Sequence, residues 1–130
     1  AKIMLYDTYT GKRIKKPYIH INWLHKAIKE PSFNLCQCLF GLHLINEDYQ
    51  KEIAIVESEK TAITMSIYLP EYIWLATGNS GNFKYELLEP LKKRKCFAFP
   101  DNGEFTNWSN KAKELRNKGF KIEVKPKKTK

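Results

Sequence analysis

The sequence predicts an α/β fold over residues 51–125, built on a four-stranded, mainly parallel sheet, and three observations lead there. Short β-branched apolar runs alternate with helical stretches. The runs are apolar throughout, the pattern of strands covered on both faces. Glycine, proline and asparagine punctuate the intervals, so the order reads β-α-β-α-β-α-β.

The first predicted strand is Ile53-Ala54-Ile55-Val56, and Glu59 to Leu69 is a helix that Pro70 ends. Tyr72 to Ala76 is the second strand, followed by the flexible loop Thr77-Gly78-Asn79-Ser80-Gly81. A short helix from Tyr85 to Leu91 leads to a third strand, Cys96 to Phe99. Phe105 to Lys118 is a long helix stopped at Gly119, and Phe120 to Val124 is the fourth strand. Strands joined by helices of this length lie parallel, with helices on both faces of the sheet. The expected strand order is 2-1-3-4, which sets the first and third strands side by side and opens a crevice between their carboxyl ends.

The first fifty residues read differently, as an extension made of a hairpin and a short helix. Lys2 to Asp7 alternates like a strand, Thr10-Gly11-Lys12 supplies a turn, and Ile14 begins a second short stretch. Asn22 is placed to cap a helix from Trp23 to Lys29 that Pro31 stops. Phe33 to Ile45 is apolar and ambiguous, with Gly41 as a break, and residues 126–130 form a basic tail.

Composition narrows the function. A hydrophobic share of 42% and an aromatic share of 13% exclude a disordered polyelectrolyte. No apolar run approaches the roughly 20 residues of a membrane span, and Ala1-Lys2 opens a strand-like segment, so a soluble cytoplasmic protein with no membrane partner is expected. Cys36, Cys38 and Cys96 lack a second pair or a histidine at ligand spacing and read as reduced thiols. The formal net charge is +9. Much of the basic charge is clustered, in Lys12, Arg13, Lys15 and Lys16, in Lys92, Lys93, Arg94 and Lys95, and in Lys125, Lys127, Lys128 and Lys130. Such clusters attract phosphate polymers through counterion release, which makes nucleic acid the expected partner, with solvated surface as the alternative.

Two acids stand out, because each directly follows an apolar strand: Glu57 after Val56, and Asp101 after Phe99-Pro100. A carboxylate there pairs, holds a metal, acts chemically or caps the next helix. If the two meet at adjacent strand ends, a hard cation such as Mg²⁺ relieves their repulsion and keeps waters for phosphate oxygens to replace.

The wording of these segments resembles the Toprim domain of primases and topoisomerases. Ile53 to Ala62 is similar to that family's first motif, a hydrophobic strand ending in a glutamate before a helix, in the Glu-Lys-Thr-Ala form of phage-type primase-helicases. Phe99-Pro100-Asp101-Asn102-Gly103 stands at the Asp-x-Asp motif, and Thr77 to Gly81 matches the glycine-containing loop between. The resemblance implies a Mg²⁺-assisted site for nucleotidyl or phosphodiester chemistry, with Glu57 as general acid or base and Asp101 as metal ligand. The second aspartate of the motif falls on Gly103, and Glu104 substitutes only if its loop turns it inward. The whole chain, including Tyr18 to Trp23 and Asn34 to Leu44, also resembles Toprim-like primase proteins of Bacteroidetes mobile elements. The zinc ribbon that precedes the domain there is not present, so the chain is expected to be part of a longer parent protein with further domains.

Lys60, early in the first helix, is a candidate catalytic cation that pairs with a phosphate, a solvent-facing helix lysine or a partner for Glu57, and Asn79 a candidate phosphate contact or a turn residue. Lys12, Arg13 and Lys92 to Lys95 are the candidate nucleic-acid contacts. Trp108 is expected to pack on the sheet. Three functions stay open: a primase-like module acting on single-stranded DNA or a primer-template, an inactive nucleic-acid-binding version, and a small-molecule or structural α/β module.

Overall fold

The computed structural model describes residues 1–126, and the chain divides into two compact units, Ala1–Cys36 and a second beginning at Gln37. In the first unit, β1 (Lys2–Met4) pairs antiparallel with β2 (Ile21–Trp23), Ile3 opposite Asn22. The expected hairpin forms only as a short antiparallel ladder around its turn, with Ile14 N–H donating to Leu5 O at 2.9 Å, and the strand partner of β1 is β2 and not the stretch after Ile14. The turn itself forms: Asp7 N–H donates to Lys12 O, Tyr6 bridges Arg13, and the Asp7 carboxylate accepts the Tyr9 and Thr10 amides. Those bonds, Thr10 first, hold the Asp7 carboxyl below the usual carboxylate range. Asn22 is not a helix cap. It lies in β2 and turns its Oδ1 onto the Trp23 amide at 2.8 Å, and α1 is only Leu24–Ala27 with Trp23 at its N-cap.

In the second unit, β3 (Ile53–Val56), β4 (Ile73–Ala76), β5 (Lys95–Phe99) and β6 (Lys121–Val124) form one parallel sheet. The strand order is β4-β3-β5-β6, or 2-1-3-4 counted within the sheet. From β3 the chain steps to β4 on one side and returns to β5 on the other, so the winding reverses between β3 and β5.

Side chains alternate across the sheet and divide the core in two. Ile53 and Ile55 join Leu75, Cys96, Ala98 and Ile122 beneath α3 (Tyr85–Leu88) and α4 (Phe105–Asn117), which contribute Leu87, Leu88, Trp108, Ala112 and Leu115. Ala54 and Val56 face the other way, with Trp74 and Ala76, under α2 (Glu59–Tyr68) and its Ala62. Covering both faces leaves Ile53, Ala54 and Ile55 with no exposure; each buried aliphatic side chain of this size stabilises by about 1.5–3 kcal/mol. Burial also pushes the Cys96 thiol up to about 12, so it stays protonated, while Cys36 and Cys38 are exposed.

The ambiguous segment is divided: Phe33 stacks on His25 in the first unit, and the part from Gln37 on packs with the sheet. Phe40 exchanges backbone bonds with Ala76, N to O at 2.9 Å and 3.2 Å, which covers the outer edge of β4. Leu39 beside it is buried, and a 3₁₀ turn spans Leu42–Asn46. No helix among the described residues is long and apolar enough to cross a membrane. Lys127, Lys128 and Lys130 of the basic tail lie outside the described residues.

Candidate functional site

Glu57 and Asp101 follow the carboxyl ends of the two central strands. Val56 pairs with Phe99 in the register of β3 and β5, so Glu57 is one residue past a paired position and Asp101 two. Neighbouring strands run about 4.8 Å apart and rise about 3.3 Å per residue, which puts both acids on one stretch of rim where the winding reverses. Both are half-buried, and Glu57 Oε2 is shielded from solvent. Neither acid is a helix cap: α2 begins after Ser58 and α4 after Glu104. Capping is therefore not what keeps these carboxylates at the strand ends.

The loop after β4 completes this rim. Gly78 N–H donates to Glu57 O at 2.8 Å, binding the loop to the residue that bears the first acid. Gly78 has φ +84°, and a Cβ there would stand 3.2 Å from Glu59 Oε1. Only glycine meets both conditions without strain. Thr77 Oγ1 donates to Asn79 O at 2.8 Å, and the buried Asn82 amide donates to Thr77 O at 3.1 Å. Trp108, 1% exposed, stacks on Phe83 with centroids 4.2 Å apart and donates from Nε1 to Ser80 O at 3.3 Å. The expected flexible loop is thus a braced one, held from below by α4. Asn79 is exposed in it, and Lys60 is exposed on the first turn of α2.

Two further positions shape the acidic rim. Gly103 has φ +91° and open space around an added Cβ. Glu104, the expected substitute, is at the N-cap of α4, where its Oε2 accepts from Asn107 Nδ2 at 3.0 Å. Among the described residues no group of three His, Cys, Asp or Glu side chains is placed to hold a metal. Two carboxylates remain, a set that suits Mg²⁺, which takes one or two from a protein and fills its shell with water and phosphate oxygens.

The basic cluster is elsewhere. Lys92 to Lys95 lead into β5 and so lie at the amino rim, the far ends of the strands from the two acids. Arg94 is a structural tie there: its guanidinium donates to Ile45 O and Asp48 O at 2.8 Å and to Lys51 O at 2.7 Å. Lys95 pairs with Glu52 at 2.5 Å, Lys92 stands 6.0 Å from the Phe120 ring, and Lys93 is exposed. Lys12 and Arg13 are exposed in the first unit, with Arg13 donating to Met4 Sδ at 3.5 Å.

Sequence reasoning missed Glu59, Asn82 and the role of Trp108. Glu59 had a readable signal, an acid in the first turn of a helix. Trp108 had none, since its partners Ser80 and Phe83 lie far along the chain, and Asn82 had none because its bond to Thr77 O depends on the fold of the loop.

No curated protein and no solved structure matches the chain. One family model matches residues 1–102, that of a domain of unknown function (DUF6371). The matched region takes in the first unit, β3 to β5, Glu57 and Asp101, and on that coverage the chain belongs to the DUF6371 family.

Proposed function

We propose that the second unit is a Toprim-like domain of a primase-like protein, with Glu57 and Asp101 holding Mg²⁺ for nucleotidyl or phosphodiester chemistry on nucleic acid. The observation that supports this reading is the placement of both acids at the reversal point between β3 and β5, each one or two residues past a paired Val56–Phe99 position. The order and parallel sense of the four strands agree with a Rossmann-like arrangement of that kind. The bound cation supplies charge neutralisation for phosphate oxygens. Asp101 holds it; Glu57, partly withdrawn from water, is placed to accept or release a proton beside it. The braced loop Thr77–Asn82 is bonded through Gly78 to the Glu57 backbone.

A second reading draws on a specific observation. With Gly103 in place of an acid and Glu104 bonded to Asn107, the rim carries the smaller part of a full ligand set, which suits a module that binds nucleic acid without turning it over.

Mg²⁺ titration followed by amide NMR separates the two. Catalytic use predicts saturable shifts confined to Glu57, Ser58, Asp101 and Asn102 at millimolar Mg²⁺, lost in Asp101→Asn. Gly103→Asp has room for its side chain, at a backbone cost of about 1 kcal/mol, and should bind the ion more tightly by about tenfold. No shift near either acid in wild type, with none gained in Gly103→Asp, overturns the metal reading.

A further inference from the structure

Among the described residues of the second unit, the sheet face under α2 is only half covered. α2 lies over β3 and β4, and the same face of β5 and β6 presents Lys95, Phe97 and Phe99 beside Lys121 and Glu123. Phe99 packs against the α2 cluster, but Phe97 belongs to neither core cluster. Its ring is approached by two ammonium groups, Lys95 Nζ at 5.0 Å and Lys125 Nζ at 5.4 Å from the centroid, and the Tyr72 ring meets it edge-on at 6.1 Å. An open cavity of about 570 Å³ at β5 and β6 takes Lys95, Phe97, Lys121 and Glu123 of this face into its lining, together with Ser109 and Arg116 of α4, which covers the opposite face.

We propose that this face is a stacking platform for single-stranded nucleic acid, with a base laid on Phe97 and the neighbouring phosphates taken by Lys95, Lys121 and Lys125. Charge decides the occupant. Three lysines against Glu123 and the bordering Glu52 give a positive surface around one aromatic ring. A protein partner would have to desolvate all of those charges to reach that ring, whereas a polyanion pairs with the lysines and offers a flat apolar base. The pairs Lys95–Glu52 and Lys125–Glu123 do not prevent this. Their side chains are 37–59% exposed, and ion pairs that open to water exchange partners at little cost. Every base has a π-face, so such a platform tolerates any sequence.

The inference does not depend on the metal reading of the carboxyl rim, and its test is run in EDTA so that the two fail separately. Anisotropy of a labelled oligothymidine is measured with the full chain across a salt series. Binding that weakens with salt is expected, with Phe97→Leu weaker by about fivefold or more and Phe97→Trp at least as tight as wild type. The double variant Lys95→Gln/Lys125→Gln should lower the salt slope by about two. An abasic strand of equal length should bind wild type as weakly as oligothymidine binds Phe97→Leu. Equal affinity of wild type for the abasic and thymidine strands overturns the proposal whether or not any variant folds. Absence of oligonucleotide binding overturns it too, as does self-association through this face without such binding.

Discussion

The two rims of the parallel sheet are opposite in charge and in what their charges do. At the carboxyl rim, Glu57 and Asp101 follow strand ends without being the N-caps of α2 and α4, and a braced loop is bonded to the Glu57 backbone. At the amino rim, Arg94 spends its guanidinium on three carbonyls and Lys95 is paired with Glu52. Neighbouring basic residues in one sequence cluster therefore do different things: Arg94 is a structural tie, while Lys93 is exposed. Arg94 stitches the segment before β3 to the sheet, whereas the acids at the other rim are the pair that the metal proposal uses.

Arg94→Ala should break the amino rim. It orphans three carbonyls, and charged hydrogen bonds of this type predict a loss of roughly 2–4 kcal/mol in urea denaturation. Arg94→Lys should recover little, because an ammonium cannot span the three acceptors of a planar fork. Lys93→Ala, next to it in sequence, should stay within about 0.5 kcal/mol of wild type. An equal effect of Arg94→Ala and Lys93→Ala would erase the distinction between a tie and a surface cation.

A smaller effect sharpens the other side of the comparison. Gly78→Ala meets both the left-handed backbone and the Glu59 carboxylate, so a cost of about 1–2 kcal/mol is expected from urea denaturation. Its amide shifts should spread from Gly78 through Glu57 and Ser80 and leave Arg94 unchanged. A neutral Gly78→Ala would mean that the loop is not the brace described above.

The parallel sheet was legible because Ile53 to Val56 and the later runs are apolar on both faces, and because Pro70 and Gly119 mark where helices end. The positions of Glu57 and Asp101 followed from those strand ends. The first unit was misread for a physical reason: β1 and β2 are only three residues each, and a turn signal such as Thr10-Gly11-Lys12 fixes a turn without fixing which strand continues the ladder. Asn22 carries a cap residue's chemistry but spends it on the Trp23 amide within β2. The platform around Phe97 was invisible in sequence, since Lys95, Phe97 and Lys125 come together only when β5 and β6 pair.

Replacing Mg²⁺ with trace Mn²⁺ and mapping paramagnetic broadening along the backbone tests the shared cation most directly. The amides of Glu57, Ser58, Asp101 and Asn102 should broaden first and together, with Arg94 and Lys95 at the other rim last, and Asp101→Asn should abolish the pattern. Broadening that begins elsewhere, or that reaches Glu57 without Asp101, would contradict a single ion held between β3 and β5.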